Sequence, residues 1–243
     1  MKSHINTILI ALAIIATALI GSDAFKSRNT NKNSISVTGL GSESFVSDLI
    51  VWSGSFAKRN YSLKQAYYEL EKDKQVIQDY MINEGLKRSN LIFSAVDINK
   101  EFKNIYDEKG NYKGQEFVGY RLTQEVEIES KQVEKVEGIS RNISELINRG
   151  IEFDSKSPRY YYTGLAELKL KMISAATKDA NNRAKNIAKN AESKVGKLKS
   201  AKMGVFQIVG QNSSESYSWG GSFNTSSKRK TASITMKLEY ETE

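Results

Sequence analysis

The stretch LAELKLKMISAATKDANNRAKNIAKNAESKV, residues 165–195, reads as one long helix carrying a ribbon of small side chains. Ile173, Ala176, Ala180, Ala184, Ile187, Ala191 and Val195 recur at steps of 3, 4, 4, 3, 4 and 4. Their mean step of about 3.67 is an 11-residue period, close to the 3.6 of a straight α-helix. Lys178, Asn181, Asn182, Lys185, Lys189 and Lys194 fall off the ribbon. Alanine has the best helix propensity and lets a neighbouring backbone come close. The ribbon is therefore expected to lie tight against a sheet or another helix, with Thr163 capping the helix and Gly196 closing it.

Upstream of this helix the hydrophobic pattern alternates between strand and helix. Residues 35–39 form a short alternating strand, and residues 48–58 a longer one that is apolar on both faces, as a central strand is. Ser62-x-x-Gln65 is a capping box that opens a helix with Leu63, Ala66, Leu70, Ile77 and Met81 inward, and Gly85 ends it. Residues 90–105 read as a strand, 107–114 as a hairpin loop and 120–129 as the returning strand, where Leu122, Val126 and Ile128 alternate with Thr123, Glu125, Glu127 and Glu129. Ser130 starts a second helix that ends at Gly150, and a strand over 151–162 is interrupted at Pro158, the single proline. Strands at 197–209 and 230–240 close the chain, with a Ser-, Gly- and Asn-rich segment between them, residues 211–227, read as a mobile loop. The fold class is α+β, with antiparallel sheets covered by helices. A β-α-β-β-α-β unit of the split, ferredoxin-like kind is followed by the long helix and a hairpin-like pair of strands.

The composition excludes much chemistry. Cysteine is absent and the only histidine, His4, precedes the apolar leader. Thiol catalysis, disulfide exchange, Cys-based zinc sites and iron–sulfur clusters are therefore ruled out, as is a Ser-His-Asp triad in the folded body. Any metal would have to be held by oxygen. The net charge of +8 favours acidic partners, although the lysines are spread along the chain as on an ordinary solvated surface.

Residues 1–24 carry Lys2, an apolar run over 8–20 and Ser22-x-Ala24. This is the pattern of a secretory signal peptide with a small-x-small cleavage site. An uncleaved N-terminal membrane anchor over 5–25 is the competing reading, weakened by Asp23 inside that span and by Lys26, Arg28 and Lys32 on its far side. Both readings place the body outside the cytoplasm, so nucleic acid is not an expected partner. Residues 25–33 are a polar, basic linker, and residues 34–243 form the domain.

Candidate chemical sites are few, and no catalytic, cofactor-binding or metal-ligating residue is assigned. Gly39-Leu40-Gly41 opens like a dinucleotide fingerprint, but Ser44 occupies the place of the third glycine and no helical pattern follows, so a turn is expected. Ser55-x-x-Lys58 matches an acyl-enzyme motif, yet on a strand an offset of three sends the two side chains to opposite faces. Glu69 with Asp73, and Glu125 with Glu127 and Glu129, offer grouped carboxylates. Lys72, Lys74, Lys131 and Lys135 lie near them in sequence, which points to solvated ion pairs. Tyr160, Tyr161 and Tyr162 alternate faces, so at least one packs inward. Tyr217, Trp219 and Phe223 put three aromatics in a polar loop, the candidate interaction loop.

Several of these residues carry a resemblance. Ile35-Ser36-Val37-Thr38-Gly39-x-Gly41 followed by Asp48, Gly119-Tyr120 opening a strand, and Asp179-Ala180-x-x-Arg183-Ala184-x-x-Ile187-Ala188 leading to Gly196-Lys197-Leu198 resemble the SIMPL-domain family. The resemblance spans about residues 34–240. It implies a bacterial periplasmic or envelope protein, α+β in fold, linked to oxidative-stress defence and self-assembling as a homo-oligomer, with no established catalytic residues. Two segments depart from the family pattern: 211–227 lacks prolines, and Arg159-Tyr160-Tyr161-Tyr162 is not typical. The expected function is that of a non-enzymatic envelope protein that self-associates and supports stress tolerance. The alternative is a binding module for an acidic ligand or an anionic membrane surface.

Overall fold

The structure is a computed structural model that describes residues 14–22, 34–216 and 218–242. Of the leader, α1 (residues 14–22) is helical and exposed. No helix among the described residues is long and apolar enough to cross a membrane. The expected cleavage site at Ala24 and the expected linker over 25–33 lie outside the described residues.

The fold is α+β, built from two largely antiparallel sheets, one backed by a single helix and the other by two, each with its own core. The first sheet joins the two ends of the domain. In it β1 (Ser34–Val46) pairs along its whole length with β11 (Arg229–Thr242), from Ser34 opposite Glu241 to Val46 opposite Arg229. The other edge of β11 carries β8 (Val195–Met203) and β9 (Gln207–Gly210), and β10 (Ser222–Phe223) adds to β9 in parallel. The second sheet is centred on β2 (Leu49–Asn60) and β5 (Tyr112–Ser130). Beyond β5 lie β3 (Leu91–Phe93) and β4 (Asp97–Tyr106), and beyond β2 lie β6 (Phe153–Ser155) and β7 (Arg159–Tyr161). This is the strand order of a split β-α-β-β-α-β unit, with β5 inserted antiparallel between two strands joined by α2 (Leu63–Asn83).

The helix starts and stops agree partly with the sequence reading. At the start of α2 the Ser62 hydroxyl accepts from the Gln65 amide, but the Gln65 side chain donates to Glu69 instead of returning to Ser62, so the capping box is half made. Gly85 ends the helix in the left-handed region, with φ 87°. The next helix, α3 (Val133–Asn142), begins after Gln132 and continues as a 3-10 turn (Ile143–Arg149) to Gly150. Pro158 separates β6 from β7, as a missing ladder donor requires. The single strand expected over 90–105 is two, β3 and β4, interrupted by residues 94–96.

The long helix, α4 (Leu165–Asn190), ends five residues before Val195, with Ala191 as its C-cap and Glu192 at a positive φ of 54°. Gly196 lies inside β8 and closes nothing. Thr163 does not cap α4. Its amide and hydroxyl both donate to the Asp48 carboxylate, at 2.7 and 2.5 Å, which ties the start of the helix to the β1–β2 corner.

The buried row of α4 also differs from the 11-residue ribbon. It is Leu168, Met172, Ala176, Ala180, Ala184 and Ala188, four residues apart throughout, while Ile187 is 48% exposed. The reason lies in β1 beneath it. Four helical residues rise about 6 Å and two strand residues about 6.8 Å, so an i,i+4 row lies nearly in step with every second residue of an antiparallel strand. The backbone around Gly41 meets Met172 and Ala176, and that around Gly39 meets Ala176 and Ala180. Gly39 and Gly41 are therefore mid-strand residues that make room for the helix, and the expected turn is absent. Ala180→Leu drives a larger side chain into this contact and is expected to cost about 1–3 kcal/mol. A thermal melt checks it: a midpoint equal to that of the unsubstituted chain would place the row in solvent.

The two cores are distinct. Trp52, Phe56, Leu70, Ile77, Met81, Leu122, Ile128, Ile139 and Leu146 fill the one beneath α2 and α3, and the α4 row packs with Ile208, Ile234, Met236 and Leu238 in the other.

Candidate interaction surface

The sites suggested by grouped residues resolve into structural pairs. Ser55 pairs across the sheet with Glu125, whereas Lys58 pairs with Leu122 on the opposite face and its ammonium bonds Asp73 at 2.9 Å. Glu125 and Glu127 do make ion pairs, with Lys156 at 2.8 Å and Arg159 at 3.3 Å. Those partners come from the β6–β7 segment across the sheet, and Lys135, the neighbour in sequence, donates to the Gly85 carbonyl instead. Among the described residues no cluster of three or more His, Cys, Asp or Glu is placed to hold a metal ion.

The three tyrosines bridge the two halves. Tyr160 packs against the first core and Tyr162 against the second, where its ring lies 4.8 Å from that of Phe45. Around Tyr160 a polar seam has formed. Its hydroxyl donates to Glu137 at 2.8 Å, its amide to the Thr225 carbonyl at 2.7 Å, and its carbonyl accepts from the Lys230 ammonium at 2.6 Å. Lys228 binds Glu134 and Glu137, each at 3.0 Å. Burial works against the Lys228 ammonium, but the hydrogen bonds and charges of Glu137 and Glu134 outweigh it and raise its pKa. Burial and the Glu137 hydrogen bond push Tyr160 up to about 12. Lys230 is only 1% exposed, and burial lowers it to about 8 against the pull of Glu215. Lys230 escaped the sequence reading because it stands at the head of the alternating strand, where a lysine ordinarily faces water.

The described residues of the segment 211–227 are folded back on the sheet. Asn224 donates to the Ile208 carbonyl, Glu215 accepts from the Gly210 amide and from Asn224, and Gln207 makes two bonds to the Ser218 backbone, at 2.7 and 3.3 Å. Of the three aromatics expected to form an interaction loop, Phe223 stands 5.8 Å from the Lys230 ammonium within the seam, Trp219 is 100% exposed, and Tyr217 lies outside the described residues.

Trp219 stands beside a cavity of about 500 Å³ on the face of the first sheet away from α4. Leu40 and Val205 line it, together with Gln207, Ser218, Ser233 and Thr235. That face is polar along β1 and β11 apart from Leu40: Ser36, Thr38, Leu40, Ser42 and Ser44 of β1 stand opposite Glu239, Lys237, Thr235, Ser233 and Thr231 of β11. The hydroxyls of Ser36, Thr38, Ser42 and Ser44, at every second residue of β1 except Leu40, are the signal in the sequence that could have shown this face. Reading Gly39-Leu40-Gly41 as a turn hid it.

Two helix-backed antiparallel sheets, sewn together at a polar seam, define an α+β domain. A family model matches residues 35–240: SIMPL, described as a protein of unknown function (DUF541). The chain belongs to the SIMPL family. A search of curated proteins finds no match.

Proposed function

We propose that this chain is an exported, non-enzymatic envelope protein that self-associates and supports stress tolerance. The observation that carries self-association is the arm made by β4 and the first half of β5. Ile98, Phe102, Ile105, Tyr106 and Tyr112 on it are each between 42 and 58% exposed. A two-stranded hairpin is marginal in water by itself, and apolar side chains grouped on an exposed arm mark a contact surface. Export rests on the apolar leader, and stress tolerance on what family membership implies. The separation of Ser55 from Lys58 favours a non-enzymatic role.

Light scattering of the purified chain is expected to give the mass of a multimer, shifted toward the monomer by Phe102→Ser with Ile105→Ser. A clean monomer at high protein concentration would sink the self-association reading. For the biological role, a deletion strain should lose viability under peroxide and regain it with the intact gene. Unaltered survival would dismiss that role.

A second reading, a binding module for an acidic ligand or anionic membrane surface, is favoured by one observation. Lys237 and Lys202 stand directly opposite each other on the open sheet face.

A further inference from the structure

We propose that the open face of the first sheet binds an acidic glycan, with a sugar ring held at Trp219 and the adjoining cavity and its carboxylate held by Lys202 and Lys237. This rests on the acidic-ligand reading and names its substrate class.

The cavity itself is uncharged. None of its lining side chains titrates near neutral pH, although the chain carries a net charge of +8. One side is apolar, from Leu40 and Val205 with Trp219 beside them, and the rest offers hydroxyls and amide groups from Ser218, Ser233, Thr235 and Gln207. A pyranose ring has the same division, with C–H faces that pack on an aromatic surface and hydroxyls around its rim that need donors and acceptors. The backbone of the loop bearing the indole is anchored on both sides, since Gln207 bonds both backbone groups of Ser218 before it and Ser222 and Phe223 pair with β9 after it. The anchored backbone lowers the ordering cost of binding, and the exposed indole is open to a ligand.

The next row of the same face supplies the charge. Thr38, Lys237 and Lys202 lie side by side on β1, β11 and β8, one strand step from the Leu40–Thr235 row that lines the cavity. Residues two apart on a strand are separated by about 7 Å, the scale of one sugar unit. Like charges placed directly across a sheet repel, and both lysines are exposed. An anion between them relieves that repulsion. Among the described residues neither ammonium lies within ion-pair distance of a carboxylate; the nearest on the same strand face, Glu239, feels the charge of Lys237 without pairing with it.

Competing anions fit less well. A nucleic acid needs a track of cations along its phosphates, whereas the row beside the cavity offers Lys202 and Lys237 beside a row of hydroxyls. A lipid surface needs a broad apolar patch for insertion, whereas the rows flanking Leu40 carry serine, threonine and lysine.

The two tryptophans make the test direct, because Trp52 is 0% exposed and Trp219 is 100% exposed. A ligand at this face alters the emission of Trp219 alone. The full chain is titrated with trigalacturonate, with uncharged maltotriose and with phosphatidylglycerol vesicles, and affinities are measured in parallel by calorimetry. The expected result is a saturable blue shift with trigalacturonate and binding of maltotriose weaker by roughly tenfold or more. Lys202→Gln with Lys237→Gln should weaken trigalacturonate to the level of maltotriose, and Trp219→Ala should remove calorimetric binding, both with an unchanged circular dichroism spectrum. Vesicle binding without trigalacturonate binding would overturn the glycan assignment and leave the acidic-ligand reading standing. No binding of either probe into the millimolar range overturns both. Trigalacturonate binding that survives both sets of substitutions also overturns the proposal, since the site would then lie elsewhere.

Discussion

Gly39→Ala is expected to lower the unfolding midpoint by roughly 6–12 °C, the equivalent of about 3 kcal/mol or more in a domain of this size. The loss comes from space alone. Gly39 sits in regular extended backbone, with no positive φ, so alanine is conformationally acceptable there. A Cβ at that position, however, would stand 2.8 Å from the Ala180 Cβ and inside the contact distance of the Ala176 carbonyl oxygen and the Ala180 nitrogen. These are backbone atoms of a 26-residue helix, which cannot yield as a flexible side chain does. Relief requires α4 to lift off β1, and that opens the contact along the whole i,i+4 row. Gly138→Ala provides the opposite sign. Gly138 lies within α3 with nothing within 4 Å of a built Cβ, so alanine there should stabilise by roughly 0.5–1 kcal/mol. Paired thermal melts decide the matter: a Gly39→Ala midpoint equal to that of the unsubstituted chain would mean that the helix does not seat where the structure places it.

The second large effect is a rise of stability with pH on the alkaline side. Lys230 has a folded pKa of about 8 against 10.5 for an ordinary lysine, because burial disfavours its charge. Below about pH 8 both folded and unfolded chains hold the proton, and the cost of the buried ammonium is present in full. Between about pH 8 and 10.5 the folded chain releases the proton while the unfolded chain retains it, so the unfolded state binds more protons and stability climbs. The gain from this group by pH 10 is on the order of 2 kcal/mol. Tyr160 acts in the reverse sense. Its folded pKa of about 12 exceeds the ordinary 10, so its contribution is complete below pH 10 and is lost as pH rises toward 12. Guanidinium midpoints should therefore increase from about pH 8 to about pH 10 and then fall, and Lys230→Met should remove the rise. A wild-type midpoint that stays level or drops over that interval would show that Lys230 is not held as a buried cation at the seam.

Each of these effects depends on how two segments meet, and that divides what could be read from the residues alone. The split unit around β2 and β5 was legible because its signals are local. Leu122, Val126 and Ile128 alternate with polar residues on a half-buried strand, Ser62 starts a helix, Gly85 stops it, and Pro158 breaks a ladder. Ser55 and Lys58 also fall on opposite faces by strand parity alone. The buried row of α4 was only half legible. Ala176, Ala180 and Ala184 belong to both periods, but the choice between Ile187 and Ala188 was made by β1, whose repeat along the contact matches four helical residues. Hydrophobicity favoured isoleucine there. The geometry favoured the smaller side chain.

The contact surface shows the same division. Trp219 stood out as an aromatic in a polar loop, but its setting beside Leu40, Val205 and Thr235 joins residues from three distant parts of the chain. Lys202 and Lys237 looked like members of a dispersed basic surface until β8 paired with β11 and placed them opposite each other. Lys230 looked solvated until Tyr160 and Phe223 closed over it. By itself the sequence determined the α+β class, the helix and strand periods, the absence of thiol and imidazole chemistry in the body, and the family resemblance, because these are properties of local spacing and residue type. The tertiary structure alone decided which glycines admit a helix, which lysine is buried and which two face each other. Those depend on strand register and helix–sheet distance, which no local stretch of residues contains.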